Sequence, residues 1–283
     1  MIIPFLLLAS LAGDMEILSR PAKGHVGVAA QVIGTKQIFG FHESEHFPMQ
    51  SVYKFPIAMA VLNAVDHGQL ALGQTVRVTK GALVPEALHS PIRDEHHGGE
   101  FDTTVQDLLR YAVSESDGTA SDALLRVLGG PAKVQQYLTT LGVTEVRIVN
   151  TEMEMSTDDA LQYQNWATPR GMVQLLRLFQ QGRSLSRTSQ ELLMGWMTDT
   201  TTGPQRIKGL LPNGTSVAHK TGTSQTRNGV TAATNDVGLV SLPLGRGLLV
   251  AIFVSDSPAD TAVREGVIAK IASALYRQQA QRR

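Results

Sequence analysis

The chain has 283 residues, 42% of them hydrophobic, and its 25 basic side chains are matched by 25 acidic ones. That is enough apolar material for a sizeable core in one or two closely packed domains, which excludes a disordered chain. The charge balance gives no electrostatic case for a nucleic acid or membrane-surface partner, and the lack of cysteine excludes disulfides and a thiol nucleophile.

In chain order, Ile2 to Ala12 is an apolar run of about eleven residues, too short to span a bilayer and suited to the core of a secretory signal. Ser10-Leu11-Ala12 offers small residues for cleavage before Gly13, so residues 1–12 are expected to be a signal peptide, although the usual basic segment is missing. Without a cysteine there is no lipid anchor, and a periplasmic or secreted protein is expected. Val26 to Ile33 and Gln37 to Phe41 alternate as strands. Next, His42-Glu43-Ser44-Glu45-His46 matches the zinc-protease pattern His-Glu-x-x-His, which binds metal only on a helix that turns both histidines to one side. Gly40 and Pro48 leave little room for that helix, so the segment reads as a polar connection. A zinc hydrolase using His42 and His46 is the remote alternative. No Cys or His spacing elsewhere supports a metal, and no cofactor is expected.

Ser51-Val52-Tyr53-Lys54 opens an apolar, helix-patterned run from Phe55 to Val65. Residues three apart share a helix face, so the Lys54 amine sits beside the Ser51 hydroxyl. A serine is a poor nucleophile until a neighbour takes its proton, and a buried lysine can do that. Asp94 to Gly99 reads as a solvated loop. Helical patterns continue at Val105 to Val113, Ala120 to Leu128, Met172 to Phe179 and Glu191 to Met197. Ser116-Asp117-Gly118 precedes the second of these, where Ser116 reads both as an N-cap and as a proton donor for a leaving amine. Asn150 to Ser156 is loop-like and holds two acids, Glu152 and Glu154. Gly214 to His219 is strand-like and leads into Lys220-Thr221-Gly222-Thr223, where Lys and Thr project from a strand edge and Gly allows close backbone approach. Strands return at Val237 to Leu242 and Gly247 to Ser255, and a helix from about Asp260 to Arg277 closes the chain.

Ser-x-x-Lys, Ser-Asp-Gly and Lys-Thr-Gly in this order resemble the motif set of the class A serine β-lactamases, from about Gly24 to the C-terminus. The resemblance implies that Ser51 is the nucleophile, Lys54 its base, Ser116 a proton shuttle, and Lys220 with Thr221 the carboxylate-binding pair. It makes Glu152 the carboxylate that activates the deacylating water, and gives the oxyanion hole to the backbone amides of Ser51 and Thr223. Gln162 to Trp166, together with Thr223-Ser224, looks like the branch of cephalosporinases and extended-spectrum enzymes. β-Lactams are the implied substrates, and a monomer is expected.

Several positions depart from the family pattern. Gly118 replaces an Asn that contacts the substrate amide, a loss of about 0.5 to 1.5 kcal/mol. Ser156 stands where an Asn usually shares the water with Glu152. The strand Asn235-Asp236-Val237-Gly238-Leu239 lacks the arginine that many members place there, so Arg206 is expected to supply the guanidinium for the substrate carboxylate. His89 falls where an aromatic often lines the mouth.

The family architecture implies an α/β plus all-α fold of the β-lactamase and penicillin-binding transpeptidase type, an antiparallel sheet flanked by helices with an inserted helical domain. Residues 13–46 and 199–283 would form the α/β domain and 47–198 the all-α domain, with the catalytic groups in the cleft between. The competing reading is a D-alanyl-D-alanine peptidase or β-lactam sensor with little turnover, against which Glu152 argues.

Overall fold

β1 (His25–Val32) and β11 (Gly247–Ser257) come from opposite ends of the chain and pair antiparallel, His25 opposite Ser255 and Val32 opposite Leu248. The computed structural model, which describes residues 13–281, builds the main sheet on this pair. Its order is β2 (Ile38–Phe41), β1, β11, β10 (Val230–Ser241) and β8 (Val217–Thr223), with β9 (Thr226–Arg227) paired to β10. Every pairing is antiparallel. The signal peptide expected at 1–12 lies outside the described residues.

Strand periodicity sorts the side chains into two cores. Val26, Val28 and Ala30, with Leu248, Val250, Ile252 and Val254, face an outer layer made by α1 (13–19) and α10 (Thr261–Ala280). The intervening Ala29, Leu249, Ala251 and Phe253 belong to the inner core, where Phe47 stacks on Phe253. Because both faces are covered, β11 is apolar almost without alternation.

The inner core continues into a helical layer around α2 (Lys54–Asp66), which is buried from Lys54 through Leu62. α4 (Val105–Ser114), α5 (Gly118–Leu128), α6 (Pro131–Thr140) and α9 (Arg187–Thr198) pack against it. A helix enclosed on all sides must be apolar all round, so the buried Lys54 at its first turn calls for partners.

The segment 47–198 is less purely helical than expected. It carries five short strands, β3 (Phe47–Pro48), β4 (Thr75–Val78), β5 (Phe101–Thr104), β6 (Val146–Arg147) and β7 (Trp166–Ala167), and its α8 (Pro169–Gln180) packs on β1 and β11. The acidic stretch at 94–99 is partly helical rather than loop: α3 (Pro91–Glu95) runs into it, and His96 stacks on Phe101. Among the described residues no helix is long and apolar enough to cross a membrane.

Candidate active site

The segment before and around Ser51 is clamped by the sheet. Asn235 Nδ2 on β10 donates to the carbonyls of Pro48 (2.8 Å) and Met49 (3.1 Å), and a Cβ on Gly222 would fall 2.3 Å from Met49 O. Glycine at 222 is therefore required for β8 to lie against this segment. Residues Gln50–Tyr53 form a 3-10 turn that runs into α2. In such a turn positions three apart eclipse one another, and Lys54 Nζ lies 2.9 Å from Ser51 Oγ.

Lys54 is 2% exposed, and its ammonium has three close oxygens. Besides Ser51 Oγ, it donates to Ser116 O at 2.7 Å and lies 2.8 Å from Glu152 Oε1 in an ion pair not aligned as a hydrogen bond. Ser116 is not the N-cap that its sequence context suggests. Asp117 takes that place, accepting from Ala120 N at 2.8 Å as well as from Ile92 N and Ser90 Oγ. Burial pushes the Asp117 carboxyl up from its ordinary value. Ser116 itself adopts φ 61°, rare for a residue with a side chain. This turns its carbonyl to Lys54 and leaves its hydroxyl for Lys220, whose Nζ donates to Ser116 Oγ at 2.8 Å.

Lys220 is fully buried. Burial, and then the nearby Lys54 charge, hold its pKa well below the ordinary lysine range. Beside it Thr221 Oγ1 shares a 2.6 Å hydrogen bond with Thr202 Oγ1. Thr223 is the exposed end of β8.

Glu152 and Glu154 have separate roles in a single turn, α7 (Glu152–Met155). Thr151 and Glu154 form a reciprocal capping box, which accounts for Glu154. Glu152 points inward to Lys54, and its position depends on Asp122 of α5. The two Asp122 oxygens accept the backbone N–H groups of Glu152 (2.8 Å) and Met153 (2.9 Å). Burial, then the Glu152 charge, push the Asp122 carboxyl up to about 7.

Ser51, Lys54, Ser116 and Glu152 line one cleft of about 370 Å³, with His89, Ser156 and Thr223 on its walls. Three sequence expectations need correction. Arg206 does not reach into the cleft: it is 4% exposed behind β8, donating to Gly222 O, Asn235 O and Thr223 Oγ1 and pairing with Glu265. Gly118 is buried at the start of α5, its N–H on His89 O, and does not line the cleft. Ser156 lines the cleft, yet its hydroxyl donates to Met153 O at 2.6 Å rather than pointing toward Glu152. His89 Nε2 donates to Glu115 O at 2.8 Å, fixing the ring on the wall. Asp122, Thr202 and Asn235 are the contributors that motif reading missed. Only Asp122 left a trace, as an acid between buried neighbours on a helix.

The His42 to His46 segment is not helical. His42, at φ 47°, stacks on Phe41 and bonds Val26 O, while His46 stacks on Trp166 and Glu43 pairs with Arg170. These commitments point the two rings apart, so the zinc alternative fails. No group of three potential metal ligands exists among the described residues.

A family model described as "Beta-lactamase enzyme family" matches residues 11–279. The chain belongs to this family. The β-lactamase is 46% identical to the extended-spectrum beta-lactamase PER-1 of Pseudomonas aeruginosa, over 94% of this chain and 86% of that one. It is 40% identical to beta-lactamase VEB-1 of the same organism, over 94% and 89%. A beta-lactamase structure from Chitinophaga pinensis superposes with TM-score 0.92 at 41% identity, covering 95% of this chain and 99% of that one. A class A beta-lactamase from Bacteroides cellulosilyticus superposes with TM-score 0.90 at 31% identity, covering 96% and 98%. The β-lactamase is thus a class A β-lactam hydrolase, and the antiparallel sheet with flanking helices implied by the family resemblance is borne out.

Proposed function

We propose that β-lactam hydrolysis proceeds through an acyl-enzyme on Ser51. The observation that carries this reading is the threefold coordination of Lys54. As an ammonium, Lys54 donates to Ser51 Oγ and Ser116 O, faces Glu152 across the ion pair, and cannot accept another proton. Passing one proton across the 2.8 Å contact to Glu152 leaves a lone pair toward Ser51 Oγ. Lys54 then takes the Ser51 proton as Oγ attacks the lactam carbonyl carbon. The backbone N–H groups of Ser51 and Thr223 hold the oxyanion.

When the C–N bond breaks, the ring nitrogen needs a proton. Lys220 already donates to Ser116 Oγ, so the Ser116 hydroxyl proton is free to face that nitrogen. Ser116 gives it up and is recharged from the lysines. Lys54 supplies the proton that recharges Ser116 and takes one back from Glu152, which restores both the ammonium and the carboxylate. Glu152 then deprotonates a water that cleaves the ester, and Ser51 leaves with its proton restored. Lys220, Thr221 and Thr223 are suited to hold the substrate carboxylate. Arg206 acts from behind: by donating to Thr223 Oγ1 it leaves the threonine's own proton for the ligand.

The periplasm or the cell exterior is the setting we infer, supported by the apolar run at 2–12, and a monomer is the state we infer there. The position of Glu152 supports turnover over a transpeptidase-like trap. The test is hydrolysis of a chromogenic cephalosporin with intact-mass detection of the adduct. Wild type should turn over with a transient adduct, and Ser51→Ala should form none. A stable wild-type adduct without turnover would favour the peptidase or sensor reading.

A further inference from the structure

Thr221 and Thr223, the two threonines suited to hold the substrate carboxylate, have their hydroxyl protons fixed by groups of opposite kind. Thr223 Oγ1 accepts from Arg206 Nη2 at 2.7 Å, and a guanidinium can only donate, so the Thr223 proton stays free for the cleft. Thr221 is joined instead to a row of hydroxyls that ends on a carbonyl, which can only accept. Thr221 Oγ1 lies 2.6 Å from Thr202 Oγ1, Thr202 Oγ1 lies 3.1 Å from Thr200 Oγ1, and Thr200 Oγ1 donates to Ser114 O at 2.9 Å.

Each hydroxyl has a single proton, so the carbonyl sets the direction of the whole row. Thr200 gives its proton to Ser114 O. Thr202 must then donate to Thr200, and Thr221 to Thr202. The Thr221 proton is thereby turned away from the cleft, which Thr223 lines while Thr221 stays buried. Both ends of the row are held. Ser114 closes α4, its own hydroxyl donates to Trp196 O at 2.8 Å, and its carbonyl also accepts from Thr201 N at 3.4 Å. At the other end Gly203 has φ 59°, and a Cβ there would lie 2.6 Å from Thr221 Cγ2, so the turn that carries Thr202 closes directly on Thr221. Thr200 is buried, which keeps water from competing for its oxygen.

An ionised carboxylate only accepts hydrogen bonds. For it to receive the Thr221 proton, Thr202 has to release Thr200 and donate to Thr221 instead, while the bond from Thr200 to Ser114 O stays as it is. The number of hydrogen bonds in the row is conserved, and only its direction between Thr200 and Thr221 changes. We propose that Thr202 is a positioning residue for substrate binding, a two-way hydroxyl that holds the Thr221 proton back in the free enzyme and reverses when a carboxylate enters. The proposal rests on the reading of the Ser51 cleft as the β-lactam site, with Thr221 among the groups that hold the substrate carboxylate.

The experiment compares kcat/KM for a chromogenic cephalosporin as the free acid and as its methyl ester, with the ester's Ki against the acid used where its turnover is too slow. The full chain is used as wild type, Thr200→Val, Thr200→Ser, Thr202→Val and the double valine variant. Thr200→Val removes the acceptor that holds the Thr202 proton, so the acid-to-ester ratio should rise about two- to tenfold, the worth of one neutral hydrogen bond. Thr200→Ser keeps the hydroxyl and should keep the wild-type ratio. Thr202 is half-buried, and Thr202→Val releases the Thr221 proton outright, so it should also raise the ratio. Adding Thr200→Val to it should then change nothing further. Damage to packing alone would lower both substrates together and leave the ratio where it was. An unchanged or lowered ratio in Thr202→Val, or a Thr200→Val effect that persists in the double variant, would overturn the proposal. If wild type hydrolyses neither form, it is the β-lactam reading that fails.

Discussion

Lys54 Nζ and Glu152 Oε1 lie 2.8 Å apart, both buried, one at the first turn of α2 and the other at the start of α7. That contact joins the two halves of the proposed cycle, because the same carboxylate takes a proton from Lys54 in acylation and from water in deacylation. Glu152→Gln keeps the shape and removes the basicity. Turnover should fall about 10²- to 10⁴-fold, the usual worth of a positioned general base. Deacylation should suffer more than acylation, so intact-mass spectra should show an adduct that persists after substrate is exhausted. Wild-type decay of that adduct would remove Glu152 from the deacylation step.

Asp122 should make stability and activity respond to pH in opposite senses. Its carboxyl ionises near 4 when unfolded and is pushed up to about 7 in the fold, by burial first and the Glu152 charge second. Between those values the folded protein keeps a proton that the unfolded chain has released. Stability should therefore fall as pH rises from ~4 to ~7 and level off above, by an amount on the order of a few kcal/mol. Turnover should move the other way, since only the carboxylate accepts well from both Glu152 N and Met153 N. Asp122→Asn should flatten this part of both profiles. Melting temperatures and kcat from pH 4 to 8 check it.

The pairing of Ser51 with Lys54 and the strand carrying Lys-Thr-Gly were legible because those groups lie within one turn or one strand of each other. Local spacing fixes such geometry. Asp122 and Arg206 show where it stops. Asp122 matters because α7 brings two N–H groups to it, and Arg206 turns away from the cleft because Glu265 of α10 and the carbonyls of Gly222 and Asn235 surround its guanidinium. Each depends on contacts between segments far apart in the chain. Ser116 was ambiguous for a different reason: Ser and Asp are both good caps, and only the φ of 61° at Ser116 assigns the cap to Asp117. The strands at both chain ends were legible from alternation, whereas their shared sheet came from the family resemblance.

Lys220 should give KM an alkaline limb. Burial and then Lys54 hold its pKa well below the usual lysine range, so the ammonium that would face a substrate carboxylate is lost earlier than for a free lysine. KM should be level at low pH and rise as pH climbs through the depressed value, with a smaller effect on kcat. Lys220→Arg keeps its charge at all such pH values, so its KM should stay flat even where the fit is poorer. Parallel KM curves for the two proteins would show that another group sets the limb.

Gly222→Ala tests whether the sheet sets the position of Ser51. The added Cβ would lie 2.3 Å from Met49 O and 3.1 Å from Val52 N, both backbone atoms, and Met49 O is itself held by Asn235 Nδ2. Neither neighbour can swing away as a side-chain tip would, so β8 and residues 49–52 must separate. Such overpacking costs about 1–3 kcal/mol, and a shift of ~1 Å at the reacting group costs about a hundredfold in rate. Gly195→Ala is the contrasting case: on α9, with nothing within 4 Å of its Cβ, it should gain roughly 0.5–1 kcal/mol from helix propensity. The Gly222 variant should thus melt lower and lose kcat, while the Gly195 variant melts slightly higher with kcat unchanged. Full activity in Gly222→Ala would mean that the Ser51 segment is held from α2 alone and that its contact with β8 does not set the nucleophile.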